Sequence, residues 1–446
     1  MSSHPPSSYQ ESRSDPESLS YPESQLHPEN RLHPETLLCQ SGGDAFGAVV
    51  PPIYQNSLFT FDSWEAIASA FEDKINTPIY SRGHNPTVVE AERVLAAFAG
   101  AEKAKLFASG MAAISAGILH FLQPSCHVIC VRNAYGPVLA LLEQYLAPKL
   151  NIELSFVGGA EVEEIAACIR GNTKLIYLES PGSGLFGLQD LSTVAALARA
   201  HGIATMADNT WATPLFQRPL ALGIDLEVHS CSKYLGGHSD IIAGALLGSA
   251  ALLDAIHSRE FELLGARIAP MEAWFLLRSL RTLPLRMARH QQSGLAVATM
   301  LAAHPKVARV DYPGLPGFPQ AELARRQMSG FSGLMGFRLK AGLKAGLKEG
   351  LAEGAHTESA EAGSADVRDA EAAARRFVNA LRLIRIGVSW GGHESLIYAP
   401  AIGYQKELDP ERFAALGLSP AQMRLSVGLE HVGDLIADLQ QALEKV

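Results

Sequence analysis

The sequence predicts an α/β fold: a mostly parallel sheet with helices on its faces, followed by a smaller α/β domain. Short apolar runs of strand length alternate with helix-length stretches, the signature of strand-helix-strand units. The residues able to do chemistry fall just after the apolar runs, where such sheets bind ligands. A chain of 446 residues is also long for one core and implies two domains.

Taken in order, "KAKLF" at 103–107 leads into the helical "GMAAISAGILHFL" at 110–122, and "HVICV" at 127–131 into "GPVLALLEQYL" at 136–146. "KLIYLES" at 174–180 precedes "LSTVAALARAHG" at 191–202, and "ATMADNT" at 204–210 and "IDLEVHSCS" at 224–232 complete the series. Two segments stand apart. Residues 1–36, rich in Pro, Glu, Ser and His, lack the apolar content to offset ordering and are expected to form a disordered tail. Residues 340–371, rich in Gly, Ala, Glu and Lys, are expected to be a solvent-exposed insertion.

Composition excludes several classes. Apolar residues make up 47% and charged residues 19%, a globular balance. A net charge of -9 argues against nucleic acid, which needs a basic face. No apolar run reaches membrane-spanning length, and the N-terminus lacks a secretory signal. Cysteines 39, 126, 130, 168 and 231 form no CxxC pair, so a reduced, cytoplasmic setting is expected, and "CHVIC" reads as a strand and not as a metal site.

Four positions after strands suggest one site. Gly110 and Met111 open a helix whose amides suit a phosphate. Asp208 ends "ATMAD". Tyr135 follows "HVICV". Lys233 follows "IDLEVHSCS", with Ser230 and Ser232 before it. Together they match what pyridoxal phosphate requires: an amine to condense with its aldehyde, an acid for the pyridine nitrogen, hydroxyls and amides for the phosphate, and an aromatic to stack on the ring.

The chain from about residue 36 onward, apart from the insertion, resembles the pyridoxal-phosphate enzymes of cysteine and methionine metabolism, the cystathionine synthase and lyase group. The matching motifs are "PPIYQNSLFTF" (51–61), "YSRGHNPTVVEAERVLAAFAGAE" (80–102), "SGMAAI" (109–114), "ESPGSGL" (179–185), "DNTWATP" (208–214), "SKYLGGHSD" (232–240), "SLRTLPLR" (279–286), "SWGGHESL" (389–396) and "MRLSVGLE" (423–430). The resemblance implies the fold type I of such enzymes, with a seven-stranded sheet in 85–279, an N-terminal arm in 37–84 and a C-terminal domain in 280–446. It implies that Lys233 carries the cofactor and shuttles protons, that Asp208 pairs with the pyridine nitrogen, and that Tyr135 stacks on the ring. Tyr80 and Arg82 would reach a neighbouring subunit's phosphate, within a homotetramer whose active sites are shared. Arg424 would grip the substrate carboxylate beside Ser389 and Trp390; read in isolation, it would flank an edge strand.

Relatives divide between chemistry at the β and the γ carbon. Trp211, Trp390, Val388 and "ESPGSG" resemble the β branch, which implies a cystathionine β-lyase of methionine biosynthesis, although Val388 and His393 replace tyrosines of a β-lyase relative. The alternatives are a cystathionine γ-synthase or γ-lyase, an acyl-homoserine sulfhydrylase, and a non-catalytic regulatory protein on the same fold. A nicotinamide dehydrogenase lacks its GxGxxG after an early strand.

Overall fold

The computed structural model describes residues 32–40, 46–340, 364–407 and 418–446. Strands β1 (Lys103–Phe107), β2 (His127–Val131), β3 (Glu153–Val157), β4 (Thr173–Glu179), β5 (Ala204–Asp208), β6 (Leu226–Ser230) and β7 (Gly244–Gly248) form one sheet. Its order is β1-β7-β6-β5-β4-β2-β3. β3, β2, β4, β5 and β6 run parallel, while β7 is antiparallel to both β6 and β1. The mostly parallel sheet of seven strands is as the sequence implies. β2 and β7 are buried along their whole length because both faces of the sheet are covered there, which accounts for the mostly apolar "HVICV".

One face packs on helix Gly110–Phe121, which begins where Ser109 Oγ accepts the Ala112 amide at 3.1 Å. Gly117 lets that helix approach closely, since a Cβ there would meet Leu226 and Met206 at 2.9 Å. The other face packs on helices Pro86–Ala99 and Leu283–Ala303 in a core shared with the second sheet, so the core continues across the expected boundary at 279–280.

The second sheet comprises β8 (Val307–Asp311), β9 (Leu334–Leu339), β10 (Arg385–Ile386), β11 (Leu396–Tyr398) and β12 (Gln422–Ser426), in the order β10-β11-β12-β9-β8. It is antiparallel except between β10 and β11. Arg424 pairs with Tyr398 on one side and Gly336 on the other, so it lies on a central strand and not beside an edge. Just before β10, Asp438 accepts the amides of Arg382, Leu383 and Ile384 at 2.9 Å each. That clamp fixes the approach of the chain to Ser389.

Two sequence expectations meet structure at their margins. Residues 1–31 of the expected tail and 341–363 of the expected insertion lie outside the described residues. Pro34–Cys39, however, is a helix with Leu38 fully buried, and Ser364–Ala380 is a helix that begins inside the expected insertion. Pro34 at a first-turn position favours the former. The latter has its apolar residues Ala370, Ala374 and Phe377 on one buried face, a period that the biased composition obscures.

Candidate active site

The site is built where β4, β5 and β6 end. Asp208, the last residue of β5, is buried, and its carboxylate accepts the Thr210 amide at 2.9 Å. Thr210 Oγ1 accepts the amide of Ser230 at 2.8 Å, which ties the ends of β5 and β6 together. Burial raises the pKa of Asp208, opposed in part by its bond to Thr210. Glu179 stands in register with Asp208 on β4 and is buried as well. Its two oxygens accept the amides of Tyr135 and Ser183, each at 2.7 Å. Burial, and then the neighbouring Asp208 charge, push its carboxyl up to about 7.

Lys233 lies in the turn after β6, half-buried, with its amide bonded to the Ser230 carbonyl at 3.2 Å. Its Nζ donates to Ser389 Oγ at 2.7 Å and sits 5.5 Å from the centre of the Trp390 ring. Burial, and then the Arg424 charge, lower its pKa to about 8, with Asp208 pulling the other way. The segment after Ser389 presses against this turn. Gly391 has φ +81°, and a Cβ there would meet the Tyr234 nitrogen at 2.9 Å, so glycine is required.

Arg424 donates to the Val388 carbonyl at 2.6 Å and lies 5.1 Å from the Tyr398 ring centre. Arg424, Glu179 and Asp208 all act on the Tyr135 phenol; burial dominates and raises its pKa, which keeps the hydroxyl protonated at neutral pH. Gly110 faces Ser230 so closely that a Cβ would come within 2.9 Å of the serine Cβ. The structure therefore brings Lys233, Asp208, Tyr135, Arg424, Ser389 and Trp390 to one place, with Gly110 and Ser230 adjoining across the sheet ends.

The other expected residues make contacts of their own. The Ser232 hydroxyl accepts the Ala243 amide at 3.0 Å and donates to the Ala243 carbonyl at 3.3 Å, a tie to the segment before β7. Tyr80 and Arg82 are exposed, with the guanidinium 5.6 Å from the tyrosine ring centre. Among the described residues, none of their bonds or ring contacts reaches Lys233 in the same chain. Trp211 is buried in the core, donating to the Leu334 carbonyl at 3.1 Å, so its size serves packing.

Sequence reasoning missed three residues here. Glu179 ends β4 as Asp208 ends β5, and that parallel was its available signal. Thr210 gave only the polar turn after Asp208. Arg286 is buried and donates to the carbonyls of Tyr234 at 2.6 Å and Ser279 at 2.9 Å, fixing the turn that carries Lys233. Gly237, at φ +68°, leaves room for that guanidinium.

The donor set fits pyridoxal phosphate. The amides of Gly110 and Met111 at the helix mouth, with Ser230, suit an anion. The buried Asp208 carboxylate suits a ring N–H, and an amine with a pKa near 8 suits an aldehyde.

Comparison with known proteins agrees. A model of the family "Cys/Met metabolism PLP-dependent enzyme" matches residues 35–444. The L-methionine gamma-lyase of Pseudomonas putida is 39% identical over 402 residues, covering 90% of this chain and 94% of that protein. The cystathionine beta-lyase of Coxiella burnetii is 35% identical, covering 89% and 93%. The cystathionine gamma-synthase of Mycobacterium leprae is 34% identical, covering 90% and 93%.

The depressed pKa of Lys233 gives a test on cofactor-free protein. Only the neutral amine attacks an aldehyde, so the rate of pyridoxal phosphate capture should rise with pH and level off above about 8. Stopped-flow absorbance would show this; a rate still climbing near pH 10 would mean that the amine is not desolvated as described.

Proposed function

The chain belongs to the Cys/Met metabolism PLP-dependent enzyme family, and from that premise we propose that it is a carbon-sulfur lyase that cleaves L-cystathionine at the β carbon. The observation that carries this reading is the position of the Lys233 amine, bonded to Ser389 and lying beside Trp390, within reach of the Arg424 and Asp208 charges.

Bound pyridoxal phosphate draws electrons from the α carbon of the amino acid it holds. The residues do the rest. Arg424 binds the α-carboxylate, for which a guanidinium fork is the matching partner. Lys233 takes the α-proton as a neutral amine, and its pKa near 8 keeps it both available and basic at neutral pH. Tyr135, held protonated, supplies a proton to the departing sulfur. Homocysteine leaves, and the aminoacrylate that remains takes up water to give pyruvate and ammonia.

Position of the base supports the β carbon. Cleavage at Cγ requires the same amine to travel on and remove a Cβ proton. The bond to Ser389 and the indole of Trp390 would restrain Lys233 from that second step. Trp211 lends no support, because it is a core residue. A γ-acting reading has its own observation, since a methionine gamma-lyase is 39% identical and the cystathionine beta-lyase 35%.

We also propose that the working unit contains more than one chain, with Tyr80 and Arg82 completing a neighbour's site. The arm that bears them carries Phe46, Trp64 and Phe71 at 95%, 80% and 61% exposure, more apolar surface than an isolated chain usually leaves in water. A second copy would cover it, and the expected state is a homotetramer.

Two experiments follow. Incubation of the loaded protein with L-cystathionine should release pyruvate and homocysteine; 2-oxobutyrate and cysteine would place the reaction at Cγ. Mixing Lys233→Ala chains with Arg82→Ala chains, after partial dissociation and reassembly, should restore activity that neither variant has alone. No recovery, with mixed oligomers present by mass spectrometry, would remove Arg82 from the shared site.

A further inference from the structure

Glu179 lies outside the roles assigned so far. It is 4% exposed and in register with Asp208, so two carboxylates stand side by side at the buried ends of adjacent parallel strands. Such a pair is costly unless its oxygens are satisfied. Glu179 meets this by accepting the Tyr135 amide with one oxygen and the Ser183 amide with the other, each at 2.7 Å. Those amides belong to two separate segments. Tyr135 opens the helix Gly136–Ala140 after β2, and Ser183 lies in the turn after β4.

We propose that Glu179 is a positioning residue, which sets the tilt of the Tyr135 ring over the cofactor site by clamping the Tyr135 and Ser183 segments onto the end of β4. The inference rests on the site described under Proposed function. Tyr135 makes no side-chain cap hydrogen bond at its helix start and is 46% exposed, so the bond from its own amide to Glu179 is a main anchor of the residue. The two amides bond different oxygens, an arrangement that the ionised carboxylate serves best. A neutral amide in its place would turn an NH2 toward one of the two N–H groups. The titratable groups facing Glu179 are Asp208 on β5, Cys130 on β2, Tyr177 on β4 and Tyr135 itself. Among the described residues no cation bonds to it, and the two amide dipoles stabilise its ionised form.

The test is Glu179→Gln, loaded with pyridoxal phosphate. Lys233 is untouched, so the visible absorption of the bound cofactor should remain. Its induced circular dichroism, which reports the fixed asymmetry of ring and surroundings, should fall to half or less, and pyridoxal phosphate should bind roughly ten-fold more weakly, because the Tyr135 ring is no longer fixed before binding. A thermal melt of the cofactor-free variant separates this from general unfolding. An unchanged dichroic band with unchanged affinity overturns the inference. Should the variant fail to fold, amide exchange of the unaltered protein decides it: Tyr135 and Ser183 should be protected, and exchange as fast as an open turn would contradict the clamp. Failure of the site itself looks different, because Lys233→Ala would then keep the visible band.

Discussion

The whole arrangement depends on charge held out of water at the ends of three parallel strands. Asp208 and Glu179 are buried side by side, and Lys233 and Arg424 act on the same small volume. Isolated, each charge would be unfavourable in this setting. They persist because backbone amides and hydroxyls meet them: Thr210 at Asp208, Tyr135 and Ser183 at Glu179, Ser389 at Lys233. The strands supply the register, and the turns after them supply the donors. That division of labour explains why the sheet is apolar almost to its last residue and polar immediately beyond.

The second sheet acts as the lid of this arrangement. β12 brings in Arg424, and the segment between β10 and β11 brings in Ser389, Trp390 and Gly391. Asp438 and Arg286 hold the two backbones that must meet, one on each side of Lys233. Neither residue touches the reacting position. Their carboxylate and guanidinium satisfy carbonyls and amides that the turns leave unpaired, which makes irregular backbone as firm as a strand.

Much of this was legible beforehand because the sheet period and the motifs reinforce each other. An apolar run ending in Asp208, or in Ser230 just before Lys233, reveals strand and site at once. Arg424 was readable only by resemblance, since a lone arginine in "QMRLS" carries no sign that its strand is central. Ser232 and Trp211 have contacts that their motifs do not announce. Both sit inside motifs, yet one binds the backbone of Ala243 and the other fills the core. Glu179 escaped notice because its partners are main-chain amides, and no sequence pattern records which amides a fold will aim at a carboxylate. The helix Ser364–Ala380 was obscured by composition, where alanine served as the buried residue.

The central claim is that one lysine among many is the cofactor's anchor because of where the strands end. Reducing the loaded protein with borohydride, digesting it and locating the pyridoxyl group by mass spectrometry tests that claim most directly. The account predicts the label on Lys233 alone. A label on Lys103, Lys105 or any other lysine would contradict it.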